Sequence, residues 1–327
     1  MNIYKTVPVF ATALLLSACG SDGGDGATAA GGSTAKVSFS VSDAPVDSLW
    51  DVTIAFDQLE LKHENGQSYF IDVDTDSDGN DYQQLNLLDY QGTDSKLIIT
   101  SQELPVGTYK ELIIHTKPGN MNWVDGGDGH YDLKIPSNKL RLGGFEVDAE
   151  AVQSFTIEFD LRKSLVLRGN ESNNSGFNLK PHGVTIIDNQ AAASLWGKVD
   201  VNLFSMGECL AESGNYVYLY EGHGHTDSML SDNMDPNDEY FDSARPLPDN
   251  AVMPYASASV DVDGSYAFGY LPGGNYTVAF TCNAEDDDPV NYDENIIIEN
   301  PQGQRKEITL DPMKETELNF VESDSLL

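Results

Sequence analysis

The run Asp72-Val73-Asp74-Thr75-Asp76-Ser77-Asp78-Gly79-Asn80-Asp81 sets carboxylates at alternate positions ahead of a glycine. Read from Asp74 it spells D-x-D-x-D-G, the spacing in which a calcium loop supplies its first three carboxylates and then turns sharply. Asn80 would add its backbone carbonyl, and Asp81 would close the shell, because position twelve is Leu85 rather than a bidentate glutamate. Ca2+ is therefore the expected cofactor, with Asp74, Asp76, Asp78, Asn80 and Asp81 as ligands. Asp, Ser, Gly and Asn are also the commonest turn formers, so a solvated acidic hairpin turn fits the same residues. His223-Gly224-His225-Thr226-Asp227 offers two imidazoles and a carboxylate to Zn2+ or Cu2+, or is a plain solvated loop. Two further acidic stretches, residues 232–239 and 285–288, read as solubilising charge. Asp43, Asp47 and Asp51 around Pro45 could gather oxygens for an ion, although turn and capping roles suffice. Arg162, Lys163 and Arg168 form a basic spot that either receives an anion or neutralises nearby carboxylates. Enzyme motifs are missing: there is no G-x-S-x-G elbow, P-loop or C-x-x-C, and His63-Glu64 lacks the second histidine of a zincin because position 67 is Gln67. No enzymatic activity is expected, although a triad built from distant residues and His63, His115, His130 or His182 stays open.

The elements that must position these groups are strands. Val37-Ser38-Phe39-Ser40-Val41 alternates, as does most of residues 52–62, and further short runs rich in β-branched and aromatic residues follow at 68–73, 85–88, 97–100, 109–116, 131–135 and 153–161. No window sustains a helical period. A second series begins at Leu195-Trp196-Gly197-Lys198-Val199 and continues at 217–220, 256–260, 265–270, 276–282, 296–298, 307–310 and 317–321. Two segments share one device: Leu104-Pro105-Val106-Gly107-Thr108-Tyr109 and Leu271-Pro272-Gly273-Gly274-Asn275-Tyr276 each place a tyrosine just beyond a Pro/Gly corner, where its hydroxyl can bond back to the chain. The expected fold is all-β: two tandem antiparallel β-sandwiches of the Ig-like or transthyretin-like kind, over residues 36–190 and 191–327, with residues 221–250 a loop insertion at one end of the second.

Residues 1–18 carry an early lysine and then a short apolar run, too short to span a bilayer and of signal-peptide length. Leu16-Ser17-Ala18-Cys19 looks like a bacterial lipobox, a resemblance that implies lipidation of Cys19 and, with Gly20 rather than aspartate next, delivery to the outer membrane. An ordinary secretory signal is the other reading. Residues 19–35 lack large apolar side chains and would act as a flexible tether spanning about 20 to 25 Å. With Cys19 assigned, Cys209 and Cys282 are left, and export favours a disulfide between them over two free thiols. A net charge of −35 argues against nucleic acid and fits cation binding or solubility in a salty medium.

Ser42-Asp43-Ala44-Pro45-Val46-Asp47, the first Leu-Pro-x-Gly-x-Tyr corner, Ile135-Pro136-Ser137, Gly144-Phe145-Glu146-Val147 and Phe159-Asp160-Leu161-Arg162-Lys163-Ser164 together resemble the DUF4382 family of bacterial lipoproteins over roughly residues 35–189. That resemblance implies no chemistry. The second half resembles the carboxypeptidase regulatory-like (transthyretin-like) domain through Val260-x-Val262-x-Gly264-Ser265-Tyr266-x-Phe268 and the second corner, which implies a non-catalytic spacer or binding platform. The resulting expectation is an outer-membrane lipoprotein, held to the membrane by lipid, that serves as a binding, adhesion or structural module toward an unidentified extracellular or periplasmic ligand. The alternative is an enzyme, or an enzyme accessory, for extracellular polysaccharide or peptide.

Overall fold

Alternating side chains put Val37, Phe39 and Val41 on one buried face of the first strand, and the same period recurs along the chain. The computed structural model describes residues 33–322 apart from 45–48, 128, 150–151, 171–172, 206, 208 and 212. Residues 1–18, Cys19, most of the expected tether, and Asp47 therefore lie outside the described residues. The strands of the first half are β1 (Thr34–Ala44), β2 (Leu49–His63), β3 (Ser68–Asp72), β4 (Gln83–Asn86), β5 (Lys96–Pro105), β6 (Gly107–Thr116) and β7 (Trp123–Gly126). They continue as β8 (Gly129–Lys134), β9 (Lys139–Leu142), β10 (Phe145–Val147), β11 (Val152–Asp160), β12 (Leu165–Asn170), β13 (Asn173–Leu179) and β14 (Val184–Asp188), with the single-turn helix α1 (Leu161–Ser164) between β11 and β12. β1 begins at Thr34, inside the stretch expected to be tether, because Ala35 and Val37 are already buried against the core.

The second half holds β15 (Ala192–Lys198), the single-turn helix α2 (Val201–Phe204), β16 (Tyr216–Glu221), β17 (Ala256–Ser259), β18 (Ser265–Pro272), β19 (Gly274–Thr281), β20 (Arg305–Leu310) and β21 (Glu315–Glu317). No helix among the described residues is long and apolar enough to cross a membrane.

In the first half a sheet ordered β14-β11-β1-β5 faces a larger one running β10-β6-β2-β7-β8-β13-β12, with β3 and β4 on β2 and β9 on β6. Phe39 and Phe155 come from the small sheet, Tyr109 and Phe145 from the large one. Phe145 stacks on Tyr109 at 4.9 Å and meets Phe155 edge-on at 4.9 Å, so the corner tyrosine roots directly in the core. In the second half β18-β15-β21 faces β17-β16-β19-β20 around Tyr266, Phe268, Phe280 and Phe320. The fold is all-β, but not purely antiparallel: β1 runs parallel to β11, β8 to β13 and β15 to β21. Both tyrosine corners close as expected. Tyr109 donates its hydroxyl to the Pro105 carbonyl at 2.9 Å, and Tyr276 to the Pro272 carbonyl at 2.8 Å. Cys209 and Cys282 are disulfide-bonded with Cα atoms 5.3 Å apart.

Two expectations fail for one reason. The loop expected over residues 221–250 at one end of the sandwich starts only after Glu221, the last residue of β16, and lies over a face of the sandwich, and 296–298 is not a strand. Tyr216, Tyr218 and Tyr220 point away from the second core, and a separate apolar cluster with Leu230, Ala284, Ile296 and Ile298 buries them. The connections after β16 and β19 thus lie across the outer face of the second sheet. The alternation of Ile296 and Ile298 reflects packing on the tyrosines rather than pairing in a ladder. Ser33–Leu327 forms one compact unit.

Candidate functional site

Asp160 caps α1, accepting from the Lys163 amide at 3.2 Å, and the turn projects Arg162 and Lys163 out of the first sandwich. Both side chains enter the second. The Arg162 guanidinium lies 3.2 Å from the centre of the Tyr216 ring, donates to the Ala284 carbonyl and pairs with Asp287 at 3.2 Å. The Arg162 and Asp287 side chains are 8% and 0% exposed, so this is a desolvated pair for which loss of either partner is costly. Lys163 donates to the Pro254 and Tyr255 carbonyls at 3.1 and 2.9 Å, while Asp160 accepts from the Ser257 amide at 3.3 Å. Lys180 pairs with Asp238 at 2.9 Å, and His182 faces Asp235 at 3.8 Å. The basic spot thus neutralises carboxylates and caps carbonyls of the second half; its remaining member, Arg168, pairs with Asp132 at 2.6 Å within the first.

Asp287 is the hub on the far side of this seam. Its Oδ2 accepts from the Tyr218 hydroxyl at 2.5 Å and from Asn233 Nδ2 at 2.7 Å, and its Oδ1 accepts from the Asn233 amide at 3.2 Å. Asp232 Oδ2 accepts from the Asp293 amide at 2.8 Å. Burial pushes the Asp287 carboxyl up to about 6 against the pull of Arg162, and burial together with the Asp287 charge pushes Asp232 up to about 8. Asp287 and Asp293 also line an open cleft of about 1380 Å³, whose other walls include Tyr131, Arg168, Phe177 and Tyr240. Stretches 232–239 and 285–288, expected to be solubilising charge, are in part structural carboxylates. The signal was present in Tyr216-Val217-Tyr218-Leu219-Tyr220: a strand apolar on both faces needs a cover on each.

The expected calcium loop takes the form of a turn. Asp76 Oδ1 accepts from the Asp78 and Asn80 amides at 2.9 and 2.8 Å, and its Oδ2 accepts from Asn80 Nδ2 at 2.8 Å. Those bonds hold the Asp76 carboxyl below the usual carboxylate range. Asp74 Oδ2 instead accepts from the Thr100 hydroxyl at 2.6 Å. Among the described residues the only acidic or histidine group with three ligand atoms gathered is Asp232, Asp287 and Asp293, so Asp74, Asp76, Asp78 and Asp81 are not brought together. His223 and His225 each bond a backbone carbonyl, of Ile308 at 2.8 Å and Glu221 at 2.7 Å. Asp43 is fully buried in β1, and Asp51 accepts from the Thr53 hydroxyl at 2.5 Å.

Residues 34–181 match the family model described as Domain of unknown function (DUF4382). The match holds both the first corner and the Arg162-Lys163 turn, and ends before β14, the strand that completes the small sheet. No curated protein sequence matches the chain. Among solved structures, the chain is similar to the Bacillus anthracis TIE protein at 10% identity and a TM-score of 0.20, covering 88% of this chain and 33% of that one. It is similar to GBS52, the minor pilin of Streptococcus agalactiae, at 11% identity and TM-score 0.19 over 89% of this chain and 98% of that one. The shaft pilin SpaA of Lactobacillus rhamnosus GG gives 8% identity and TM-score 0.20 over 89% and 100%. This chain spans a third of the first of these, and at such scores the likenesses carry no argument about function.

Proposed function

We propose that this chain is a non-catalytic module of the bacterial envelope, lipid-anchored through Cys19 in the outer membrane, that presents a rigid body of two joined sandwiches to a ligand or a neighbouring surface. The observation that carries the reading is the seam itself: Arg162 and Lys163 are anchored by polar contacts in the second half, so the two sandwiches act as one stiff platform, with an open cleft beside the seam for contact. The histidines support a non-catalytic role. His63, His223 and His225 contact backbone carbonyls, while His115, His130 and His182 face Glu60, Asp125 and Asp235. The anchor is tested by metabolic labelling with a fatty acid and membrane fractionation. Label and membrane association are expected to vanish together in Cys19→Ala; a variant that stays membrane-bound counts against the reading.

A further inference from the structure

We infer that Asp232, Asn233, Asp287 and Asp293 form a Ca2+ site that ties together the two connections covering the second sandwich. The inference is independent of the envelope reading. One carboxylate oxygen from each aspartate lies within 4.8 Å of the others, and ligands held at 2.3–2.6 Å by one calcium ion are at most about 5 Å apart. The residues come from separate stretches, 222–255 and 282–304, brought side by side over Tyr218 and Tyr220.

Two buried oxygens point to something still to be bound. Asp232 is 0% exposed; its Oδ2 accepts from the Asp293 amide, whereas its Oδ1 has no hydrogen-bond partner. Asn233, also 0% exposed, donates its Nδ2 to Asp287 and leaves its Oδ1 without a partner. A fully buried carboxylate oxygen and amide oxygen left in this way are costly unless a cation or proton meets them. The local charge has the matching sign. With all four ionised, Asp232, Asp287, Asp288 and Asp293 outnumber Arg162 and Arg245 by two, the excess that a divalent ion would balance. Every donor is a hard oxygen with neither imidazole nor thiolate, which disfavours zinc and copper. Donors on two irregular loops, with a neutral amide among them, suit the adaptable shell of Ca2+ better than the strict octahedron and retained waters of Mg2+. The cleft that Asp287 and Asp293 line gives an approach from solvent.

The test is calorimetric titration of CaCl2 into the chelator-stripped full chain, paired with thermal melts in CaCl2 and in EDTA. A calcium-dependent rise in melting temperature is expected, with Asp232→Asn weakening the affinity at least tenfold and Asp76→Asn leaving it unchanged. Should Asp232→Asn fail to fold, Asp293→Asn, at a partly exposed position, is expected to weaken binding by a similar factor. Failure of millimolar CaCl2 to give either heat or a melting shift would overturn the site. So would binding that Asp76→Asn abolishes and Asp232→Asn or Asp293→Asn leaves intact, and an equal response to MgCl2 would overturn the choice of ion.

Discussion

Asp43 shows how far a single residue can depart from its local pattern. It stands in β1 among polar neighbours that suggest a turn, yet it is 0% exposed, with Gln91 and the Leu161 amide as the hydrogen-bonding groups that face it. The parallel register sets it beside Glu158 and Asp160 on β11. Burial, then the Glu158 and Asp160 charges, raise its carboxyl well above the usual range, and burial raises Glu158 and Asp160 as well. A carboxyl whose folded value is raised binds its proton more tightly when folded. Its stabilising contribution is complete below the ordinary carboxylate value of about 4 and is lost as pH rises through the folded value. Asp43→Asn, which cannot ionise, is expected to gain about 1–3 kcal/mol at pH 8 and to flatten the fall in stability between pH 5 and pH 8. Denaturant titrations of both proteins across that range check it, and an unchanged slope would count against the burial argument.

At the scale of the element, the four residues of α1 have consequences out of proportion to their length. A single turn is too short to be stable alone; Asp160 holds it by capping, and the side chains it presents are anchored in the opposite sandwich. Arg162 is the costliest to lose, because its removal leaves the Asp287 carboxylate buried without its cation. Arg162→Ala is expected to destabilise the chain by about 3–5 kcal/mol, measured by guanidinium unfolding in EDTA. Asp287→Asn in the same background should recover part of the loss, and a double-mutant cycle with no coupling would show that the pair is not what holds the seam.

For the whole molecule the question is whether the two sandwiches melt together. Beyond the Arg162 and Lys163 contacts, the halves meet where Tyr270 donates its hydroxyl to the Thr93 carbonyl at 3.0 Å and where Gly269 lies against the Gly92 backbone. A Cβ on Gly269 would collide with the Gly92 carbonyl oxygen, so only glycine allows this approach. One cooperative calorimetric transition is expected for the wild type. Gly269→Val should cost about 1–3 kcal/mol and split the trace into two transitions, one per sandwich; a single peak at the original temperature would mean that the halves do not depend on this contact.

Some of this was legible along the chain. Alternation gave away β1, β2, β16 and β19, because a side-chain period of two survives in one dimension. The two corners were legible because Pro, Gly and Tyr act within a few residues of each other, and two cysteines in a chain expected to be exported made the disulfide a short inference. The seam and its carboxylates were not. Arg162 and Asp287 are 125 positions apart, and in the linear chain Asp232 and Asp287 look like any solvated acid. The D-x-D-x-D-G run shows the converse: its spacing suits an ion, yet its geometry gives Asp76 to backbone amides. Strand identity, corners and charge were determined locally, by residue type and near neighbours. Which charges are buried, which face each other and which covered face holds them were decided only by tertiary packing, because desolvation depends on what the rest of the chain lays on top.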